Sequence, residues 1–346
     1  MVGDELAGPT SRHSPRTAHH VPMKLVMMGT GDFAVPTFRL LLDRGYHVSL
    51  LVTQPDRPQG RHQELVAAAI KKLAIERGVD VFQPENVNDP SAIERLAAIR
   101  PDLLVVAAYG QILSSDLLQV PRLGGINLHA SLLPKYRGAA PINWAIYHGE
   151  TVTGVTVIRM TPSLDAGSIL LQAETPIAPD ETAGELEVRL AELGAPLVSQ
   201  AIAGLAADTL AGRKQDRSLA TRAPKLKKEH GLIDWSRGAV AVSNQIRAMH
   251  PWPLAYTFLH RAAVEPPIRI IIEQVKRRLI EPPATRALPP GTVLPSDAGT
   301  LLISAGDSAV EVIQLRPAGK RSMPVQEFLR GNPVQSGDHF GGQIEQ

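Results

Sequence analysis

Short apolar runs alternate with stretches of helical periodicity from Lys24 to about residue 203. The apolar runs predict strands at 24–28, 48–53, 79–82, 102–108, 125–129, 153–160 and 168–175. Between and after them, the helical stretches fall at 35–44, 65–77, 91–99 and 182–203. Strands separated by helices of this length are typical of a parallel sheet built from βαβ units. The pattern therefore predicts an α/β fold with a doubly wound, mostly parallel sheet.

The pattern changes beyond this unit. Residues 208–226 mix polar and apolar positions without a period, which is typical of an interdomain linker. A helix follows at 239–249, and then short β-type runs at 254–259, 268–275, 291–294, 301–304 and 310–315, separated by Pro and Gly. Such runs predict a small antiparallel β-barrel, similar to an OB-fold.

These patterns divide the chain into five parts. We expect a disordered extension at 1–22, a catalytic domain at 23–207, a linker at 208–226, a barrel domain at 227–330 and a tail at 331–346. The first 22 residues are polar and lack the apolar run of a secretory signal, so a start codon placed too early would also explain them.

Composition narrows the class of protein. The 346 residues are 44% hydrophobic and 20% charged, and none is cysteine, which excludes disulfides, thiolate nucleophiles and thiolate metal sites. No stretch approaches the roughly 20 apolar residues of a membrane helix. We expect a cytoplasmic, monomeric protein without a membrane partner.

Charge is distributed unevenly along the chain. Residues 1–210 hold 17 Lys and Arg against 22 Asp and Glu, a net of −5, whereas residues 211–346 hold 19 against 12, a net of +7. Basic surface on one half suggests a polyanionic partner held by that half, although a solvated basic surface explains the count equally well.

The candidate chemistry lies between residues 124 and 168. Asn127 and His129 are two apart on a predicted strand, so their side chains share a face, and Asp165 follows in a loop between two later strands. An amide and an imidazole can donate hydrogen bonds to the oxyanion formed when an amine attacks a carbonyl. The carboxylate can fix the tautomer of the imidazole and help to remove the ammonium proton. Buried Asn and His also often serve only as core polar groups.

The run NLHASLLPKYRGAAPI at 127–142 closely resembles the signature of folate-dependent formyltransferases. The resemblance implies that Asn127, His129 and Asp165 are the catalytic residues, and that 10-formyltetrahydrofolate supplies the formyl group without a metal. It also implies that the SLLP segment (Ser131, Leu132, Leu133 and Pro134) borders the folate site.

Further motifs resemble the methionyl-tRNA formyltransferases within that family. TQPDRPQGR at 53–61 is similar to a loop that reaches the tRNA acceptor end, which implies roles for Arg57 and Arg61. NQIRAMHPWP at 244–253 and LRPAGKRSM at 315–323 are similar to their carboxyl-terminal barrel. The expected acceptor is the amino group of initiator methionyl-tRNA. After Arg61 this chain has HQE where the family usually has lysines, so the loop is less basic.

The segment 213–228 holds seven basic residues, at the place where tRNA backbone would pass between the domains. We therefore add Lys225, Lys227 and Lys228 to the expected tRNA contacts, with a solvated linker as the alternative.

Three other interpretations remain open. A formyltransferase for a small amine, such as an amino sugar nucleotide, would need the same three catalytic residues but no RNA. A folate-binding or RNA-binding module without turnover would not need all three. Gly29, Gly31 and Ala34 fit a dinucleotide motif with Asp56 as its ribose acid, but short motifs of this kind match often by chance.

Overall fold

The computed structural model describes residues 23–59, 64–261, 264–278 and 288–342. The predicted extension at 1–22 and the predicted tRNA contact Arg61 lie outside the described residues.

The first part of the chain forms the expected α/β unit. Its elements are β1 (Lys24–Gly29), α1 (Val35–Asp43), β2 (His47–Val52), β3 (Arg57–Gln59), β4 (Glu64–Val66), α2 (Ala69–Glu76), β5 (Val81–Phe82), α3 (Pro90–Ile99), β6 (Leu103–Ala107), α4 (Ser115–Gln119), β7 (Gly125–His129), β8 (Arg137–Gly138), α5 (Pro141–Tyr147), β9 (Val152–Arg159), β10 (Ile169–Pro176) and α6 (Ala183–Ala206). Seven strands form one sheet in the order β10-β9-β7-β6-β1-β2-β5. The five strands β7, β6, β1, β2 and β5 pair in parallel. At one edge of the sheet, β9 pairs antiparallel with β7, and β10 pairs antiparallel with β9. The predicted doubly wound, mostly parallel sheet is confirmed.

Both faces of the sheet are covered, which explains why its strands are continuously apolar. In β1, Leu25 and Met27 belong to the core cluster that includes Phe38 of α1 and Leu190 of α6. The alternate residues of β1 face a second cluster with α3 and α4, formed by Val26, Met28, Leu96 and Leu117 together with neighbouring apolar side chains. Burying each such side chain contributes about 1.5–3 kcal/mol relative to leaving it exposed.

A glycine lets α6 lie directly against the strand that carries the candidate site. A Cβ atom added at Gly194 would come within 2.5 Å of the Leu128 side chain in β7. The helix itself begins with a capping box, in which the Thr182 side chain accepts from the Glu185 N–H and the Glu185 carboxylate accepts from Thr182. Close packing of α6 therefore supports β7 from behind.

The second part of the chain contains β11 (Arg222–Ala223), α7 (Ala239–Ala248), β12 (Ala255–Arg261), β13 (Val264–Arg278), β14 (Val293–Leu294), β15 (Leu301–Ser304), β16 (Ala309–Pro317), β17 (Met323–Pro324), α8 (Val325–Gly331) and β18 (His339–Gly341). Six of these strands pair in the order β14-β15-β16-β13-β12-β18, and β17 pairs with β16. A bridge between Thr292 and His339 brings the last strand back to the first. The result is a nearly closed antiparallel barrel, which confirms the predicted fold class.

The structure corrects one expected boundary and shows that the expected linker makes ordered contacts. A tail is expected at 331–346, but β18 belongs to the barrel, and Phe340 is completely buried and contacts Trp235. Phe340 is the one apolar residue of β18, so the segment shows no alternation of apolar and polar positions that would predict a strand. A linker is expected at 208–226, but Arg213 pairs with Ile169, and β11 pairs with β8 of the first domain.

The two domains also contact each other through helices. The side-chain amide of Asn143 in α5 donates to the carbonyl of Ala248 at the end of α7, at 2.7 Å. The Arg237 guanidinium lies over the Tyr147 ring, 4.4 Å from its centroid. The barrel is therefore fixed beside α5, close to the carboxyl ends of the parallel strands.

Candidate active site

A cavity of about 650 Å³ opens at the carboxyl ends of β6 and β7. Open α/β sheets bind ligands at this edge, outside the ends of the parallel strands. Residues 108–113, 127–130, 138–143, 158 and 160–165 line the cavity, together with Phe33, Val106 and Glu187. The volume is in the range of small-molecule sites.

Strand β7 brings Asn127 and His129 into this cavity. It pairs with β6 on one side and with antiparallel β9 on the other, so its register is fixed on both edges. Asn127 is partly exposed to the cavity, whereas His129 is 5% exposed. The predicted same-face arrangement of these two side chains follows from their spacing of two on a strand.

His129 lies between a carbonyl and a carboxylate. Its Nε2 is 2.9 Å from the carbonyl oxygen of Tyr136, and its Nδ1 is 3.6 Å from Oδ2 of Asp165. Since a carbonyl can only accept, Nε2 carries the hydrogen. The Tyr136 carbonyl therefore sets the tautomer, which is the role expected of Asp165 from the sequence.

Asp165 is held in an unusual backbone conformation. Its φ is 49°, in the left-handed region that few residues other than glycine adopt. Its side chain is 9% exposed, and Oδ2 accepts a hydrogen bond from the Gly138 N–H at 2.9 Å. This bond orients the carboxylate toward His129.

The loop that carries the Tyr136 carbonyl requires a glycine. Gly138 has a φ of 128°, and a Cβ atom there would lie 2.5 Å from the carbonyl oxygen of Ala223. Ala223 belongs to β11, which pairs in parallel with β8. The segment after the first domain thus packs behind the loop that carries the Tyr136 carbonyl.

The three side chains together suit acyl transfer to an amine. The Nδ1 atom of His129 can accept a proton, and the resulting imidazolium would be stabilised by the Asp165 carboxylate and the Tyr136 carbonyl. The Asn127 amide supplies a donor on the same face for an oxyanion. The three predicted catalytic residues converge on one cavity, and their catalytic roles stay predictions.

The SLLP segment lies outside the cavity wall. Ser131 is fully buried, and its hydroxyl donates to the carbonyl of Lys135 at 2.7 Å. The Leu133 N–H donates to Thr156, and the Gln172 amide donates to the Leu133 carbonyl. In the structure Ser131, Leu132, Leu133 and Pro134 form a supported turn beside the site, so their contact with folate stays a prediction.

Sequence reasoning missed the apolar wall of the cavity. Ile112 is 66% exposed and Leu164 is 57% exposed, although both line the cavity. Both follow strands, after β6 and β9 respectively, and exposed apolar side chains beside a cleft are a usual sign of a ligand surface. The position of these two apolar residues in loops after strands is the feature of the sequence that could have identified them as cavity residues.

Glu187 of α6 was also missed. It lines the cavity and is half-buried, and burial raises its pKa above the ordinary value, with a further contribution from nearby Asp32. It is one polar position within a helical period and belongs to no motif, so the sequence offers no signal for it.

Four of the five predicted tRNA contacts are at the surface. Arg57 is exposed at the start of β3, and Lys225, Lys227 and Lys228 are exposed in the segment that follows β11. Arg61 lies outside the described residues. The four described cations do not line the cavity, so any contact that they make with a polymer would be on the outer surface.

The structure does not support the dinucleotide alternative, because Asp56, its expected ribose-binding acid, is already bound by other side chains. The Asp56 carboxylate is bound by the Lys71 ammonium and by the Gln83 amide, and these hydrogen bonds lower its pKa. Pro36 stands in the first turn of α1.

Among the described residues, no cluster of three or more His, Asp or Glu side chains could hold a metal ion. Within the same ranges, no helix has both the length and the apolar character needed to cross a membrane.

Comparison with known proteins shows the family to which this fold and this cavity belong. The model of the formyl transferase family matches residues 23–202, and that of its C-terminal domain matches residues 225–333. A methionyl-tRNA formyltransferase of Geobacter sulfurreducens is 42% identical over 93% of this chain and 99% of its own length. One from Acidobacterium capsulatum is 44% identical over 92% of this chain and 100% of its own.

Solved structures show the same fold at low identity. An N-formyltransferase from Helicobacter canadensis, in complex with folinic acid and dTDP-3-aminofucose, has a TM-score of 0.61 at 18% identity, over 84% of this chain and 98% of that one. HypX from Aquifex aeolicus, in complex with tetrahydrofolic acid, has a TM-score of 0.60 at 15% identity, over 91% of this chain and 48% of that one. The chain belongs to the formyl transferase family, in the methionyl-tRNA formyltransferase branch.

Proposed function

We propose that this enzyme transfers the formyl group of 10-formyltetrahydrofolate to the free amino group of initiator methionyl-tRNA, which prepares that tRNA for translation initiation. The observation that carries the proposal is the convergence of Asn127, His129 and Asp165 on one cavity, in a chain that matches a methionyl-tRNA formyltransferase over 93% of its length. The product would be formylmethionyl-tRNA.

The proposed reaction needs a proton acceptor and an oxyanion donor. The amine attacks the formyl carbon, which forms a C–N bond and a tetrahedral oxyanion. The Asn127 amide and the protonated His129 stabilise that oxygen. When the bond from the formyl carbon to N10 breaks, the amine has lost one proton and N10 gains one. His129, held by the Tyr136 carbonyl and Asp165, moves that proton directly or through a water.

Folate would occupy the more apolar side of the cavity. The apolar surface available to a flat heterocycle comes from Ile112, Met160 and Leu164, while the backbone groups of the same loops can bind its polar edge. The buried turn at 131–134 would support this wall. No step of the proposed reaction requires a metal.

The tRNA would lie across both domains. We propose that 23–207 is the catalytic domain and that the barrel from 227 onward, with its positive charge, holds the acceptor arm through phosphates. Arg57, Arg61, Lys225, Lys227 and Lys228 are the proposed contacts. We infer that the enzyme works in the cytoplasm, where translation takes place, and as a monomer.

One assay separates the proposal from its rivals. The enzyme is incubated with radiolabelled 10-formyltetrahydrofolate and, in parallel, with methionyl initiator tRNA, free methionine or a dTDP amino sugar. We expect label only in the aminoacyl-tRNA. Label in the amino sugar would establish the small-amine alternative, and label in none of them would support a binding module without turnover.

A further inference from the structure

Gln215 lies in the segment that joins the two domains, between two points where this segment pairs with the catalytic domain. Arg213 pairs with Ile169 through two backbone hydrogen bonds of 2.8 Å. Further on, β11 pairs with β8. The connecting segment therefore packs against the loops that carry Arg137 and Asp165, and the Gln215 side chain lies between these two loops.

The side-chain amide of Gln215 uses all of its hydrogen-bonding capacity. Its Nε2 donates to the carbonyl oxygen of Asp165 at 2.7 Å and to that of Gly167 at 2.7 Å. Its Oε1 accepts from Nη2 of Arg137 at 2.7 Å and from Nε of Arg137 at 3.2 Å. An amide has two hydrogens and two lone pairs, and each has a partner here.

The groups that Gln215 holds belong to the two loops on either side of His129. One loop carries the Tyr136 carbonyl that binds Nε2, and the other carries the Asp165 carboxylate that faces Nδ1. Asp165 at φ 49° and Tyr136 at φ 62° both occupy the left-handed region, where a non-glycine residue is held only if its surroundings fix it.

We propose that Gln215 is a positioning residue for formyl transfer, which clamps the Asp165 loop to the Arg137 loop and so fixes both neighbours of the His129 imidazole. The inference rests on the proposed function of the same site. Gln215 does not line the cavity, so it acts through the loops and not on the substrate.

The side chain at this position must both donate to two carbonyls and accept from Arg137, and a primary amide can do both. A glutamate has no hydrogen to donate to the two carbonyls and would set a negative charge against them. A lysine could donate but could not accept from Arg137. A leucine fills similar space and makes neither kind of bond, which would leave the guanidinium and two carbonyls without these partners.

The test compares Gln215→Leu, Gln215→Glu and Gln215→Asn with the wild type. We expect kcat to fall about tenfold to a hundredfold in the first two variants, because small misplacement of catalytic groups costs rate on this scale. The KM values for tRNA and folate should stay within about threefold. Gln215→Asn keeps the amide on a shorter arm and should recover part of the loss. The matched control is Gln119→Leu, at an exposed glutamine on α4.

A double-mutant cycle separates positioning from general stability. Because part of the effect of Gln215 is exerted through the Asp165 carboxylate, Gln215→Leu should cost less rate when Asp165→Ala is already present than it costs in the wild type. Losses that multiply, or a Gln215→Leu enzyme within twofold of wild type, would overturn the inference. Should the leucine variant not fold, Gln215→Glu carries the same comparison. Failure of the proposed function shows in the wild type itself, as no formylated tRNA, and is distinct from either outcome.

Discussion

At the scale of single residues, the site depends on how the imidazole of His129 is held. Its Nε2–H is bound to a backbone carbonyl, which no side-chain substitution removes, and its Nδ1 faces Asp165 at 3.6 Å. That distance exceeds a hydrogen bond and leaves the proton-accepting atom free for substrate. The carbonyl therefore fixes orientation, while the carboxylate supplies charge.

Removing any of the three proposed catalytic side chains should lower turnover without unfolding the protein. We expect His129→Ala to reduce kcat by about 10²–10⁴ and Asn127→Ala by about 10²–10³. Because the three act as a unit, losses in a His129 and Asp165 double variant should not multiply. Single-turnover formylation measures the effect, and His47→Ala, at an exposed histidine on β2, is the control. Near-normal turnover of His129→Ala would exclude the proposed mechanism.

Glu187 should cost stability at neutral pH. Its pKa in the folded protein is raised by burial and then by Asp32, so the folded state prefers the protonated carboxyl. This contribution is favourable below the unfolded pKa and is lost as the pH rises through the folded pKa. Glu187→Gln should therefore raise Tm at pH 8, with the gain vanishing near pH 4.

The comparison is made by thermal melts across that pH range. Glu192→Gln, at an exposed carboxylate on the same helix, should change Tm little at any pH. A pH-independent effect of Glu187→Gln would show that its packing matters and not its charge.

At the scale of elements, the sequence predicted the strands and the longer helices, because these show a clear hydrophobic period. The strands of the parallel sheet were located within one or two residues, because buried strands are continuous apolar runs. The short helices α4, α5 and α8 were missed, since five to seven residues show too little of a helical period. The predicted helix at 65–77 begins only at Ala69, because Glu64–Val66 forms β4.

The site was predictable in part for similar reasons. Asn127 and His129 share a face by their spacing alone, and their convergence with Asp165 came from the resemblance. The Tyr136 carbonyl could not be predicted, since it is a backbone group in a loop. Neither could Gln215, because its partners lie 48 to 78 residues away and no local pattern encodes them.

The pairing of β8 with β11 gives a prediction at the level of two strands. Gly138→Ala would place a Cβ atom 2.5 Å from the Ala223 carbonyl and would force an alanine to φ 128°. We expect stability to fall by more than about 1 kcal/mol and kcat to fall strongly, since the loop beside His129 must shift. Gly78→Ala is the control, because Gly78 has a φ of 67° but open space around it. Equal effects would mean that the strand pair contributes nothing.

At the scale of the whole molecule, the barrel is closed by its last strand. Phe340 is fully buried against Trp235, and its N–H donates to the Gly291 carbonyl at 2.7 Å. Phe340→Ala should lower the free energy of unfolding by about 3–5 kcal/mol, as for other large core residues. Leu288→Ala, at a residue 39% exposed, should change it by less than about 0.5 kcal/mol. Equal denaturation midpoints for both variants would show that β18 does not close the barrel.

The division of charge between the two halves gives the last prediction. A tRNA bound through phosphates releases counterions, so its affinity should fall steeply with salt, whereas a folate in the cavity should respond weakly. Replacing Lys225, Lys227 and Lys228 with Gln should reduce the slope of log affinity against log salt by about one for each phosphate that the variant no longer neutralises. A variant with the same change in net charge, made at the exposed Arg39, Lys72 and Arg100, serves as control. An equal slope in both variants would mean that net charge, and not the segment after β11, attracts the tRNA.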